Sequence, residues 1–521
     1  MKKLFLTAFA FIFFNGFVFC QTDIPLHYAE TITGQDLKKH LTVVASAEME
    51  GRMTGSEGQR KAATYIQSQF EQLGLKAAES LNGYQQYYPL FKDTLIPKKL
   101  KIGKQKLEYG FGYVLFSGSS TKEKFKSSKI VFCGYGIDDK NYNDYKGKNV
   151  KNKVVLIVNG EPMQGGKYLV SGTDKRTSWT FSMTRKAAAA KEKGAVAVLF
   201  INTAWDSIPS VTTKNSKKSI LYFPASGKAA KLTTVLMAIP ELKSIVGEDQ
   251  AKDIVAKAEA KEPLNDIVLE KKMSTKLSFE KGTTQVNASN VIGVIEGSDK
   301  KDEYLFLTAH YDHLGKKDDV IYYGADDDGS GTVSVIEMAE AFAKAKAEGN
   351  GPRRTVVFMT VSGEEEGLWG SQYYSEHPVF PLDKTTADLN TDMIGRIDGE
   401  RFSEKEQNYI YVIGNDKLSS DLGPITQEVN NKYTKLELDN RYNLPGDPER
   451  IYYRSDHYNF AKKGVPAIFY FSGLHEDYHR PTDTPDKIRY DLLTRRAQTI
   501  FYTTWEIANR DEMLKRDLPL P

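Results

Sequence analysis

Short apolar runs alternate with helical periodicity through the second half of this chain: Val291 to Ile295, Tyr304 to Thr308, a helical stretch over 332–347, a further run over 355–361, and Ala467 to Phe471. Runs of that length read as strands. Strands separated by helical segments have a simple solution, a layered α/β sheet with its apolar strands buried beneath helices. An open sheet of this kind gathers ligands at the carboxyl ends of its strands. The residues that follow each run are therefore the ones to read for chemistry.

Those residues are histidines and carboxylates. The run ending at Ala309 delivers His310-Tyr311-Asp312, and alternation along an extended chain turns His310 and Asp312 to the same side, one to ligate and the other to orient it. Gly324-Ala325-Asp326-Asp327-Asp328-Gly329-Ser330-Gly331 then sets three consecutive carboxylates before a helix whose apolar face includes Val333, Ile336 and Phe342. One Asp would cap that helix. Three adjacent like charges repel unless cations or donors offset them, so a divalent metal is expected there. The run over 355–361 ends in Ser362-Gly363-Glu364-Glu365-Glu366-Gly367, where the same electrostatic problem recurs. One glutamate is expected to bind metal while a neighbour stays free as general base, taking a proton from the attacking water and passing it to the leaving amine; the residues alone do not choose among the three. Asp392 and His479 complete the set, and the histidines at 27, 40, 313, 377, 457 and 475 are assigned no ligand role.

Mixed histidine and carboxylate ligands without cysteine suit zinc, with cobalt or manganese able to substitute. Two metals sharing one carboxylate would clamp both the nucleophile and the tetrahedral intermediate of amide hydrolysis. Serine chemistry is disfavoured, because no Gly-x-Ser-x-Gly elbow occurs, and no Walker-type phosphate loop is present. The formal charge of +3, about +1 once Lys2 and Lys3 are discounted, is spread over interspersed signs and leaves no nucleic-acid footprint.

At the start of the chain, Lys2 and Lys3 precede an apolar run from Leu4 to Phe14 and the sequence Val18-Phe19-Cys20. Residues 1–20 therefore read as a secretory signal, and the protein is expected to be exported, to the periplasm or beyond. Acylation at Cys20 is the less favoured reading, since bulky Phe19 precedes it. No later stretch reaches the ~18 consecutive apolar residues that span a bilayer. Without the signal, Cys133 is the only cysteine, so a core rather than an intramolecular disulfide must hold the fold. Residues 35–76 carry two helical patterns, with Glu50 to Gly55 between them read as a polar connector. From 118 to 272 the character changes, with Ser/Lys-rich segments around strand-like runs at 129–132, 154–158 and 196–201 and a helix-like 185–194. The expected organisation is a signal at 1–20, a first part at 21–117, an inserted α/β unit at 118–272 and a catalytic part at 273–521.

On His310-Tyr311-Asp312, the Asp326-Asp327-Asp328 run, Glu364-Glu365-Glu366-Gly367-Leu368-Trp369-Gly370-Ser371, Asp392-Met393 and Tyr478-His479, in that order, the sequence resembles the M28 family of zinc peptidases. The resemblance extends to Glu50-Gly51-Arg52 and Ser455-Asp456-His457. It implies a mixed, mostly parallel sheet sandwiched by helices, as in zinc exopeptidases, and a di-zinc aminopeptidase acting on peptides. It further implies that Asp327 bridges two zincs, that His310 and Asp392 hold one and Glu365 and His479 the other, that Glu364 is the general base, and that Asp312 supports His310. Tyr452 would stabilise the tetrahedral intermediate. The 118–272 segment, through Gly134-Tyr135-Gly136-Ile137, Asn143-Asp144-Tyr145 and Lys153 to Ile157, is similar to the protease-associated domain inserted in some members.

Three other readings compete. A catalytically dead binding module should have lost ligands, and none is missing. A single-zinc glutaminyl cyclase lacks the full two-metal set, so His310 counts against it. A carboxypeptidase of the glutamate-releasing type needs the same metals and cationic groups for a terminal carboxylate, which Arg441, Arg450 and Arg454 could supply.

Overall fold

The computed structural model describes residues 23–116, 124–224, 232–401 and 407–520, so the expected signal segment and Cys20 lie outside the described residues. The chain forms two compact units, Met1–Tyr88 with Asn287–Pro521, and Pro89–Val286.

In the first unit the strands Lys300–His310, Arg354–Val361, Thr385–Thr391 and Ala467–Phe471 run parallel at the centre of a mixed sheet. The end of Thr275–Ile295 and the strand Tyr409–Ile413 flank them antiparallel. Central strands buried on both faces need apolar residues at every position, which is why they read as unbroken runs rather than alternating ones. The two faces separate cleanly. Leu305, Leu307, Ala309, Val356 and Phe358 pack with the helices Gly34–Val44, Glu57–Gln72, Gly331–Ala347 and Tyr490–Asn509. Phe306, Val357, Met359 and Val361 face Tyr374 and Phe460 on the other side. Side-chain caps fix the early helices: Thr33 accepts from the Asp36 amide, and Ser56 from that of Gln59. This arrangement aligns the carboxyl ends of all four parallel strands at one edge, the edge that carries His310, Glu364, Asp392 and the loop to His479.

The second unit has its own six-stranded sheet, with Ile130–Phe132, Val154–Val158, Ala197–Ile201 and Thr234–Met237 parallel and short antiparallel strands at both edges. Its borders are wider than the 118–272 expected from composition. Two long strands, Gln85–Ile102 and Thr275–Ile295, lie outside the expected limits, and parts of them pair within this unit: Leu100 with Leu107, Thr275 with Ser127. The compositional change marks where surface residues turn Ser/Lys-rich, not where packing changes partner. Cys133 is buried in this unit's core. Among the described residues no helix is long and apolar enough to cross a membrane.

Candidate metal centre

Five of the sequence-designated ligands converge. His310, at the end of its strand, points Nε2 to within 3.4 Å of Asp327 Oδ1 and 3.5 Å of Asp392 Oδ1. His479 reaches in from its loop and places Nε2 3.1 Å from Asp327 Oδ2 and 3.0 Å from Glu365 Oε2. Asp327 thus offers one carboxylate oxygen to each histidine. Glu364 Oε2 lies 4.0 Å from His310 Nε2.

The three consecutive aspartates do not act together. Only Asp327 faces the site. The buried Asp328 collects backbone N–H groups from His310 (3.2 Å), Gly331 (2.8 Å) and Met393 (3.1 Å), tying together the His310 strand, the start of the Gly331–Ala347 helix and the Asp392 loop. A Cβ on Gly331 would stand 2.4 Å from that carboxylate and 2.3 Å from the Thr391 carbonyl, so glycine is required there. Asp326 turns the opposite way, accepting from the Gly395 amide at 2.6 Å with its other oxygen 3.3 Å from His475 Nε2. Asp483 in turn accepts the backbone N–H groups of Asp326 and Asp327 at 3.0–3.2 Å, fixing the turn that aims the Asp327 carboxylate. Backbone donors answer the charge of two of the three aspartates.

The remaining ligands are held as firmly. Ser455 donates to Asp392 Oδ2 at 2.7 Å and receives from Asn390, which leaves Asp392 Oδ1 facing His310. The nearest partner of His310 Nδ1 is the Asp312 carbonyl at 3.2 Å; the Asp312 carboxylate stands 3.7 Å away. That carboxylate accepts instead from the Glu364 amide (3.2 Å) and from Thr54 Oγ1 (2.6 Å), so Asp312 orients the glutamate loop as much as the histidine.

Thr54 belongs to the segment read as a mere connector, and the structure overturns that reading. Arg52 is fully buried and donates to the carbonyls of Tyr311 (2.7 Å), Val44 (2.9 Å), Tyr323 (2.7 Å) and Gly324 (2.8 Å), clamping both ends of the loop between His310 and Asp327. Gly51 adopts φ 68°, and a Cβ there would come within 2.4 Å of the Gly315 and Tyr322 carbonyls. His313, given no role from sequence, places Nδ1 2.7 Å from Glu365 Oε1 and 3.8 Å from Asp327 Oδ2.

The donor set fits zinc. Bonds of about 2.0–2.2 Å at the tetrahedral angle separate neighbouring ligand atoms by about 3.4 Å. The histidine-to-carboxylate separations of 3.0–3.5 Å match that edge. His310 Nε2, Asp327 Oδ2 and Glu365 Oε1 are buried with no hydrogen-bond partner, a state that costs free energy unless a cation answers them. Electrostatics point the same way. Burial opposes charge on His479, yet Asp327 and Glu365 outweigh it and lift the imidazole to about 10. Burial, with Asp392 and Glu365 alongside, holds the Glu364 carboxyl well above the ordinary carboxylate range against the pull of His310. Burial likewise pushes Asp456, hydrogen-bonded by Ser371, up to about 7.

Beside Asp327, Glu364 and Asp392 opens a pocket whose apolar wall is Met393, Ile451, Phe469, Phe471 and Leu474, with Tyr478 and Arg454 also lining it. Tyr452 is not among these residues. It packs edge-on against Tyr453, His457 and Tyr458 under the Lys417 ammonium, while the phenol beside the carboxylates belongs to Tyr478, stacked on His479 at 3.9 Å. Arg441 pairs with Asp439 and Glu400, and Arg450 lies over Tyr453, so of the three arginines weighed for carboxylate binding only Arg454 lines the pocket.

Comparison with known proteins agrees with this geometry. The chain is 27% identical over 265 residues to a probable zinc metalloprotease of Pyricularia oryzae, covering 43% of this chain and 50% of that protein. It is also 27% identical over 215 residues to a probable leucine aminopeptidase of Trichophyton verrucosum, covering 40% and 55%. The chain thus spans about half the length of the curated relatives it matches. Its fold is that of an aminopeptidase from Aneurinibacillus sp. strain AM-1 (TM-score 0.55, 18% identity, 95% and 99% of the two chains) and of a zinc aminopeptidase from Bacillus subtilis (0.51, 19%, 94% and 99%). Residues 290–504, which contain every candidate ligand described above, match the sequence model of peptidase family M28.

Proposed function

We propose that this protein is a di-zinc aminopeptidase that releases residues one at a time from the N-terminal end of peptides. The observation that carries the reading is Asp327, with one oxygen turned to the His310–Asp392 side and the other to the His479–Glu365 side. His310 and Asp392 would hold one zinc, Glu365 and His479 the other, with Asp327 available to both; cobalt or manganese could substitute. Bound zinc supplies Lewis-acid polarisation of the scissile carbonyl and a lowered pKa for water. Between His479 and His313 the geometry favours His479 as ligand, because it stands at a tetrahedral edge from both carboxylates. His313 braces Glu365 from the buried side.

Glu364 takes a proton from the attacking water and returns it to the leaving amine, its raised pKa suiting both halves of that task. Asp312 holds the Glu364 backbone in place. The apolar wall receives the side chain of the N-terminal residue, and the carboxylates beside it suit a terminal ammonium. Relatives named leucine aminopeptidase support an apolar preference. Residues 1–20 direct export, and the Pro89–Val286 unit acts as a protease-associated domain that screens substrates.

Arg454 sustains a second reading, release from the carboxyl terminus, because it lines the same pocket and its closest carboxylate, on Glu449, is 4.0 Å away. The two are separated by digesting free and N-acetylated peptides, with and without chelation, and identifying products by mass spectrometry. Chelator-sensitive loss of N-terminal residues, blocked by acetylation, is the expected result; C-terminal release indifferent to acetylation would replace the reading. Glu364→Gln should keep both zincs and lose turnover, whereas Asp327→Ala should lose metal as well.

A further inference from the structure

Away from this centre, the helices Gly34–Val44 and Gly331–Ala347 bring a second set of ligand types together: a ring nitrogen of His40 and carboxylate oxygens of Glu337 and Glu340 lie within 4.8 Å of one another. We propose that these three residues bind a third divalent cation, of the zinc or manganese class, distinct from the catalytic pair.

The buried atoms make the case. Glu337 is 1% exposed, and its Oε1 has no hydrogen-bond partner although it stands 3.2 Å from His40 Nε2. Their separation is the ligand–ligand edge of a tetrahedral site, about 3.4 Å, and repeats the signature of the main centre. The other nitrogen of His40 is engaged by the Tyr65 hydroxyl at 2.7 Å. Donating Nδ1–H to Tyr65 leaves the Nε2 lone pair facing Oε1, the arrangement a metal-bound imidazole adopts. Burial lifts the Tyr65 hydroxyl to about 12, so it remains a neutral partner.

Charge adds to geometry. Burial, together with the charges of Glu340 and Asp36, pushes the Glu337 carboxyl above its ordinary range against the pull of His40. Among the described residues no lysine or arginine forms an ion pair with Glu337 or Glu340. Glu340, one helical turn beyond Glu337 and exposed, completes the set from the solvent side and gives a cation its route in. Imidazole with two carboxylates suits zinc or manganese better than calcium, which prefers oxygen alone. The superficially similar pair of His475 and Asp326 differs. There the Asp477 amide donates to Nδ1, and among the described residues no third ligand-type side chain joins the pair.

Such a cation would brace the catalytic turn from behind. The Gly34–Val44 helix touches that turn at Leu41, whose Cδ1 would lie 2.7 Å from a Cβ on Gly329. A bond across the two helices would hold Leu41 against it.

The test counts zinc. Wild-type protein, Glu340→Gln, His40→Gln and Asp327→Ala are dialysed to equilibrium against zinc at the same free concentration, separated from unbound metal, and assayed by elemental analysis. Three zincs per wild-type chain are expected, two in Glu340→Gln and two in His40→Gln. Glu340 is exposed, so its variant folds even if His40→Gln does not. In Asp327→Ala, adding Glu340→Gln should remove one further zinc, which keeps this site distinguishable from the catalytic pair. Equal zinc in wild type and Glu340→Gln would overturn the proposal and leave His40 and Glu337 as a buried ion pair.

Discussion

Thr54→Val isolates the contribution of a residue that touches neither substrate nor metal. Thr54 is 2% exposed, and valine matches its shape, so the change removes one hydrogen bond, Oγ1–H to Asp312 Oδ2 at 2.6 Å, and little packing. A hydroxyl bonded to a buried carboxylate is worth about 1.5–3 kcal/mol, and the abandoned oxygen belongs to a side chain that is 1% exposed. It can regain a partner only by rotating, and rotation drags Oδ1 away from the Glu364 amide at 3.2 Å. If that whole free energy is lost in the transition state, kcat falls roughly 10- to 150-fold, at 1.36 kcal/mol per decade. The assay is steady-state peptide hydrolysis at saturating zinc, with metal content measured in parallel and Thr54→Ser as control. Serine keeps the hydroxyl and should stay near wild type. A kcat for Thr54→Val within twofold of wild type, or equal damage from serine, would refute the chain of support from Thr54 through Asp312 to Glu364.

Arg52→Met leaves four carbonyl acceptors without their donor, each worth about 1–3 kcal/mol, partly offset by relief of a buried charge; a net loss of about 4 kcal/mol or more is expected in urea unfolding, and a loss under about 1 kcal/mol would count against the clamp. His457, fully buried and stacked on Phe469 at 5.2 Å, has its pKa lowered by burial from 6.5 to about 3. A depressed histidine stabilises the fold above its unfolded pKa and loses that contribution as pH falls towards the folded value. Between pH 6.5 and 4.5 it should therefore cost about 2 kcal/mol. Unfolding free energy measured against pH should show a shallower acid slope in His457→Gln, and an unchanged slope would exclude this histidine as the source.

What the sequence made legible follows from how each residue acts. Val154–Val158 and Ala467–Phe471 lie where their apolar runs placed them, because strands buried on both faces admit nothing else. Gln85–Ile102 escaped notice, and of Thr275–Ile295 only the end from Val291 was legible, since lysines along them, and Pro97 in the first, interrupt any apolar run. These site residues could be read because His310, Glu364 and Asp392 lie at or just beyond the ends of strands. Asp328 could not be told from Asp327 by spacing, for its partners are backbone N–H groups supplied by three distant segments. Arg52 and Thr54 act across more than 250 positions, on carbonyls and a carboxylate whose proximity only the fold creates. The resemblance drew attention to Tyr452, yet it lies in an aromatic cluster, while Tyr478, adjacent to a ligand, supplies the phenol at the pocket.

The loop that brings His479 to the site is followed by the helix Tyr490–Asn509, which packs into the same core as the central strands. In the order of synthesis the last ligand is thus made long after the first, and the helix that secures its loop comes later still. A ribosome-bound chain stopped between residues 366 and 478 has Asp327 and Glu365 but lacks His479 to close the second half of the centre. The centre stays incomplete through most of synthesis and closes only after residue 479 and the helix behind it have been made.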